Sequence, residues 1–316
     1  MAKTKEISRR IKSITNTKKI TRAMEMVAAA KMRRAIDAVL RTRTYANLSW
    51  ETVLHLSKTV PNQDSRPLHP LLTKRPKTNK VAMILITSNR GMCGGYNSAI
   101  INKVRESLKK HSEVPVEFIL VGKKGSVVYN QGQTVAAEFP KDDLLSDPKE
   151  VVPIVKLAIK DFLEGKYDKV FVAYTDFVSA VKQVPRIKQL LPVDIESEDE
   201  YLGIVADPKV SVSKQLLSEK TVKHLGPKSG SEYLFEPDPE TVLDTMIPRL
   251  LEVQIYQAML EANASEHSAR MSAMHQATEA ANDMVNELTL FYNKARQAGI
   301  TAEIAEISAG ANALLD

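Results

Sequence analysis

The sequence predicts an α/β fold in two parts: a long antiparallel two-helix coiled coil made by the N- and C-terminal segments, and a central α/β domain. Three observations predict it. The first Pro is Pro61 and the first Gly is Gly91, so nothing interrupts a helix through residues 1–60. Apolar residues from Leu250 onward repeat in steps of three and four. Between these ends, short apolar runs alternate with helix-length segments, the pattern of a mostly parallel sheet with helices on its faces.

Composition sets the outer bounds. The chain has 316 residues with an apolar share of 43%, enough for a sizeable core, while aromatics are scarce at 5% and Met is plentiful at 11. That mix suits long helices better than a β-sandwich. The net charge of +6 points to an acidic partner and leaves nucleic acid, anionic lipid and acidic protein open. A single cysteine, Cys93, excludes an internal disulfide and suits a reducing compartment. The N-terminus MAKTKEISRR has no apolar stretch of a secretory signal, and no apolar run of membrane-spanning length follows.

Taken in order, residues 1–60 form the first coiled-coil helix, about 80 Å of it at about 1.5 Å per residue. Ile7, Ile11 and Ile14 share one face. Ile20, Met24 and Val27 repeat that spacing nearly on the opposite side, so this helix is expected to serve two contacts on two faces. Within "KKITRAMEMVAAAKMRR", Met24, Met26, Val27, Ala28, Ala29 and Ala30 place apolar groups all round the cylinder, between basic clusters that include Lys18, Arg22, Arg33 and Arg34. A charge run of this kind is either a solvated face or a surface that meets an acidic partner.

Residues 61–79, with Pro61, Pro67, Pro70 and Pro76, form a connector. The α/β domain covers 80–193. "VAMILIT", "VEFILVG", "TVAAEF" and "KVFVAYTDF" are its strands, and helices are expected to about His111, from "SVVYN", and over about 148–164. The alternation is Rossmann-like. "QVPRIKQLLPV" adds a last strand, which Pro185 pushes to an edge. Residues 194–236 are a variable surface excursion. The second long helix, 237–316, opens at "EPDPE" with Asp238 as N-cap and Pro239 in the first turn. A strict heptad from Leu250 through Val253, Gln257, Leu260, Ala264, His267, Met271, Met274, Thr278, Ala281, Val285, Leu288 and Tyr292 to Ala295 is apolar or aromatic at most positions. This helix outruns the first, so its far end is expected to protrude alone.

Catalytic and metal motifs are not in evidence. "SNRGMCGGYN" stands where a phosphate loop would, yet it is neither G-x-x-x-x-G-K-[ST] nor G-x-G-x-x-G, and a tight turn explains its glycines. The histidines have no zinc-ligand spacing. No catalytic, cofactor-binding or metal residue is predicted. Arg270, Gln297, Thr301 and Glu303 have, by spacing alone, nothing above ordinary helix surface.

Long stretches nevertheless resemble a known family. "KEISRRIKSITNTKKITRAMEMVAAAKMRRA", "TSNRGMCGGYN" and the run from "YLFEPDPETVLDTM" to "AEISAGA" look like the γ subunit of F-type ATP synthases, collinearly over nearly the whole chain. The resemblance implies a non-catalytic rotor shaft. Its coiled coil would sit inside a ring of α and β subunits, and its α/β domain would meet the ε subunit and the membrane c-ring. No nucleic acid would be bound, and membrane association would be indirect, peripheral and on the cytoplasmic face. It also implies coupling or stator contacts at Met24 ("AMEMV"), Arg270 ("ARM"), and Gln297, Thr301 and Glu303 ("RQAGITAE"). Ala302 stands where Gln is common in the family. The excursion lacks cysteines, so a dithiol switch is not implied. An apolar bearing is expected at Met26, Val27, Ala28, Ala29 and Ala30, and again at Ile304, Ile307, Leu314 and Leu315, with a basic face at Lys18, Arg22, Arg33 and Arg34. The rival readings are a coiled-coil adaptor or tether, a basic nucleic-acid-binding protein, and an α/β enzyme using the Gly-rich loop.

Overall fold

The computed structural model describes residues 2–59, 69–73, 75–111, 114–143, 147–193, 236 and 238–312. The excursion expected over 194–236 falls almost entirely outside the described residues, as do Leu314, Leu315 and much of the connector. The chain divides into two compact units. One joins the residues up to Ala29 with those from Arg270 onward; the other is Ala30–Ala269.

The larger unit is built on a five-stranded sheet. Its strands are β1 (Val81–Ile86), β2 (Val116–Val121), β3 (Thr134–Phe139), β4 (Lys169–Phe177) and β5 (Gln183–Leu191), in the order β3-β2-β1-β4-β5. β1 pairs in parallel with both β2 and β4, β2 with β3, and the edge strand β5 runs antiparallel to β4. Pro185 lies on that edge strand, where its missing N–H is tolerated. β1 is buried along its whole length, as a strand covered on both faces must be. One face, from Met83, Leu85, Phe118, Leu120 and Ala173, packs on Ile100 and Val104 of helix α2 (Tyr96–Lys110). The other face, from Ile84, Ile86, Ile119, Val172 and Tyr174, shares a core with α3 (Val152–Leu163) and with Leu243 to Ala262 of the C-terminal helix α4 (Pro239–Asn312). The helix expected from "SVVYN" is a 3-10 helix, Lys123–Gln131. It is entered through Gly122 at φ 95, where a Cβ would come within 2.4 Å of the Thr87 carbonyl oxygen.

Asp168 anchors the start of β4. Its carboxylate accepts from the backbone N–H groups of Asn79 (2.7 Å) and Lys80 (3.1 Å) and from Arg75 Nη1 (2.9 Å). Burial raises its pKa, but these three donors outweigh burial and hold it below the ordinary carboxylate value. Arg75 also lies over the Phe162 ring, 4.9 Å from its centroid.

α4 begins as the sequence predicts. Asp238 Oδ1 accepts from the N–H of Thr241 at 2.9 Å, and Pro239 opens the helix. The helix continues through Pro248, whose cost is offset by the burial of Leu243, Ile247, Leu250 and Leu251 beside it. From Leu250 to Ser268 every residue but Glu252 is buried. A two-helix seam would bury a stripe; this stretch is a core helix enclosed on all sides.

The smaller unit is a two-helix pair between α1 (Ala2–Thr59) and the outer half of α4. Lys18 bonds Asn282, Thr21 bonds Thr278 and Glu25 meets His275. Numbers rise on one helix as they fall on the other, so the pair is antiparallel. On α4 the covered residues include Met271, Met274, Thr278, Ala281, Val285, Leu288, Tyr292 and Ala295, the predicted heptad, with Ala273, Ala277 and Asn282 half-buried beside it.

On α1 the two apolar groups part company: one face packs within the helical pair and the other is turned outward. Thr4, Ile7, Ile11, Ile14, Lys18, Thr21, Glu25 and Ala28 are the buried or half-buried positions at strict three-and-four spacing. The seam therefore stays on one face. Its apolar residues give way to Lys18, Thr21 and Glu25, which have polar partners on α4, and the apolar Ile20 and Val27 are turned outward instead.

Candidate contact surface of the helical pair

The seam pairs fix which side chains remain outside. Lys18 Nζ donates to Asn282 Oδ1 at 2.6 Å. Thr278 Oγ1 lies 2.8 Å from Thr21 Oγ1 and also 2.8 Å from the Met274 carbonyl oxygen. His275 stands between two carboxylates, 3.2 Å from Glu25 and 3.3 Å from Glu279, and Arg22 pairs with Glu25 at 3.0 Å. The seam is thus partly apolar and partly a ladder of polar rungs, which fixes axial register better than apolar contacts alone.

This geometry sorts the predicted bearing residues. Met26 and Val27 are 59% and 56% exposed, and Ala30 is exposed. Met24 and Ala29 are half-buried at the flanks. Ala28 is buried at 2% exposure; it belongs to the seam and offers no surface to an outside partner. The collar is therefore not apolar all round. It is an outward patch of Ile20, Ala23, Val27 and Ala30, whose spacing keeps them on one face, beside Met26. The basic face is sorted in the same way. Arg22, Arg33 and Arg34 are exposed, but Lys18 is half-buried and committed to Asn282.

Carried to its start at Ala2, the antiparallel register brings α1 level with roughly residue 298 of α4. Beyond it, residues 296–309 are all exposed. Gln297, Thr301 and Glu303 lie here, with Thr301 donating to the Gln297 carbonyl oxygen at 3.0 Å. Ile300, Ile304 and Ile307, separated by four and three residues, make one apolar stripe on this exposed stretch. Met24 stands near His275 in the register, roughly 30 Å along α4 from Gln297. The structure therefore does not gather the predicted contact residues into one pocket; it strings them along the pair. Arg270 is half-buried at the point where the seam of this unit begins.

Some surface residues escaped the sequence reading. Met284, Leu290, Phe291 and Ile300 are large apolar side chains with at least 46% exposure. Their signal was available: each lies off the heptad phase, so a seam that buries one stripe must leave them outside.

The other sequence candidates turn inward. In "SNRGMCGGYN", Asn97 accepts from the Ser88 N–H at 3.0 Å and donates to Ser88 Oγ at 2.7 Å and to Cys93 Sγ at 3.4 Å. Met92 and Gly94 take positive φ. The segment is a self-bonded turn with Cys93 buried inside it. His267 is buried, with Nε2 3.0 Å from the Asp143 carbonyl oxygen. Among the described residues no group of three or more His, Cys, Asp or Glu is placed to hold a metal ion. No described helix is long and apolar enough to cross a membrane.

Comparison with known proteins agrees with this architecture. A family model described as ATP synthase matches residues 3–314. The ATP synthase gamma chain of Dehalococcoides mccartyi (strain CBDB1) is 40% identical over 315 residues, covering 99% of this chain and 100% of its own. That of Chlorobaculum parvum is 37% identical over 316 residues, covering 98% of each. Among solved structures, the rotor of the Euglena gracilis mitochondrial ATP synthase aligns with a TM-score of 0.59 at 20% identity, over 95% of this chain and 99% of that one. The central stalk and c-ring structure of the Tetrahymena thermophila enzyme gives 0.55 at 23% identity, over 82% and 99%. These structural likenesses speak for the fold, and the sequence matches over nearly the full length carry the assignment: the chain belongs to the ATP synthase gamma chain family.

Proposed function

We propose that this chain is the central rotor shaft of an F-type ATP synthase. It would couple proton-driven rotation of a membrane c-ring to the conformational cycle of catalytic β subunits while making and breaking no bonds itself. One observation carries the reading beyond family membership. α4 continues past its partner helix as a bare helix with every side chain of 296–309 exposed, an apolar stripe and a polar group included. Exposed isoleucines of this kind mark a surface that another protein covers.

In this reading Ile304 and Ile307, with Leu314 and Leu315, form the inner bearing against the surrounding α and β subunits. Met26, Val27, Ala29 and Ala30 form the outer one. Met24, Arg270, Gln297, Thr301 and Glu303 are the coupling contacts. Arg22, Arg33 and Arg34 face acidic stator segments through exposed pairs of about 0–1 kcal/mol each, weak enough to be exchanged in succession. Each shaft angle stabilises a different conformation of each catalytic site, which is coupling free energy delivered mechanically. Residues 80–193 would meet the ε subunit and the c-ring at the cytoplasmic face of the membrane. The strand order, reversing beside β1, supports a Rossmann-like domain, and α4 bonds to its strand ends where such folds usually bind ligands.

Reconstitution with α and β subunits tests the proposal. Adding the chain should produce a stable complex and raise its ATPase rate. A chain that fails to join α and β, or joins without changing ATP hydrolysis, is an adaptor and not a shaft.

A further inference from the structure

The all-round burial of α4 between Leu250 and Ser268 raises a mechanical question. Close-packed apolar side chains resist both withdrawal and turning, but the hydrophobic effect is itself non-directional and defines the fine angle about the helix axis less sharply. Hydrogen bonds and ion pairs depend on angle and so define one rotational setting.

α4 carries such contacts on two sides. Toward the loop after β3, Lys141 Nζ meets Glu266 Oε2 at 2.6 Å, with side-chain exposures of 2% and 4%. On the same side Asn263 donates to the Asp142 carbonyl oxygen at 3.1 Å, and His267 Nε2 lies 3.0 Å from that of Asp143. The loop is itself tied down. Asp143 pairs with Lys31 of α1 at 2.7 Å, and Asn89 donates to the Lys141 carbonyl oxygen. On another side of α4, Ser265 Oγ donates to the Thr175 carbonyl oxygen at 3.1 Å and Ser268 Oγ to that of Ala180 at 2.7 Å.

We propose that residues 141–143, acting chiefly through the buried Lys141–Glu266 pair, are a key that sets the angle of α4 in its socket. Torque applied to the sheet domain is thereby passed to α4 without rotational slip. This rests on the rotor-shaft reading and adds where torque enters the helix. Stability alone does not account for the pair, because a buried ion pair is commonly no better than an apolar pair of similar volume. An apolar pair would hold the helix in place and leave its angle less defined.

The experiment follows from that contrast. The Lys141→Met/Glu266→Met double variant is assembled in the complete synthase in sealed vesicles, and ATP hydrolysis and ATP-driven proton uptake are measured together. The expected result is hydrolysis near that of the parent complex and a several-fold lower proton uptake per ATP, restored in part by the charge-reversed pair Lys141→Glu/Glu266→Lys. Uptake per ATP equal to the parent's overturns the proposal. Should the Met pair not assemble, Asn263→Leu gives the second reading: lowered uptake per ATP supports the key, and unchanged uptake overturns it. A parent chain that supports no hydrolysis with α and β subunits instead defeats the shaft reading, whatever the variants do.

Discussion

Two stretches of the same helix show how differently one element can be used. Between Leu250 and Ser268, α4 is buried on nearly every side, mixing Leu251, Ile255 and Met259 with Gln257, Glu261, Asn263, Glu266 and His267. Between residues 296 and 309 it is exposed on every side. Both stretches are helical, and both mix apolar with polar residues, so local sequence does not separate them. What separates them is what lies around them. The inner stretch owes its order to the sheet domain; the outer stretch has helix propensity and continuity with the pair behind it. Gly299, which costs an exposed helix about 1 kcal/mol relative to Ala, sits in the outer stretch, with no other group within 4 Å of the Cβ it lacks.

This difference predicts a ranking of effects on folding. The largest should come from breaking the buried pair on one side: Lys141→Met removes the cation 2.6 Å from the buried Glu266 carboxylate and should cost up to about 3–5 kcal/mol, read by urea unfolding. Leu251→Ala, at a site with no exposed surface, should cost about 2–5 kcal/mol. If either variant unfolds at the parent's midpoint, the inner stretch is not the core described above.

Asp168 comes next, and here pH gives the sign. Its folded pKa is depressed, so its stabilisation is fully present above the ordinary carboxylate value and fades as pH falls through the lowered folded one. Asp168→Asn should destabilise the protein by about 1–3 kcal/mol near neutrality, from lost charged hydrogen bonds, and should flatten the acid limb of the stability curve. An unchanged acid limb would remove Asp168 from that account.

A smaller effect is expected at the polar rung of the seam. Thr21→Val with Thr278→Val replaces both hydroxyls by methyl groups and should change stability by less than about 1 kcal/mol. The two single changes should be non-additive in a double-mutant cycle. The smallest effect on folding belongs to Ile304→Ala with Ile307→Ala, within about 0.5 kcal/mol, because both side chains are mostly exposed. The same variant should lower ATPase activation on reconstitution, which separates a contact surface from a fold-holding one.

Much of this was legible in the sequence. The strands, the edge position forced by Pro185, the Asp238 cap and the α4 heptad all follow from local pattern, because each depends on neighbours in the chain. The α1 seam was not legible. Lys18, Thr21 and Glu25 look like surface residues until Asn282, Thr278 and His275 are set opposite them, and nothing local announces partners more than 240 positions away. The same holds for Glu266, which pairs with Lys141 in a loop after β3. A buried charge has no sequence signature of its own; it is read from its partner. The proposed contact residues along the pair rest on family resemblance, since an exposed Gln297 or Thr301 has no periodicity that would mark it out.

The central claim is that the outer end of α4 is a surface kept for partners while the inner stretch holds the fold. Amide hydrogen exchange along α4, in the free chain and after assembly with α and β subunits, tests it most directly. The account predicts slow exchange over 250–268 in both states, and fast exchange over 296–309 that becomes protected on assembly. Protection of 296–309 that is already high in the free chain, or that does not change on assembly, would contradict it.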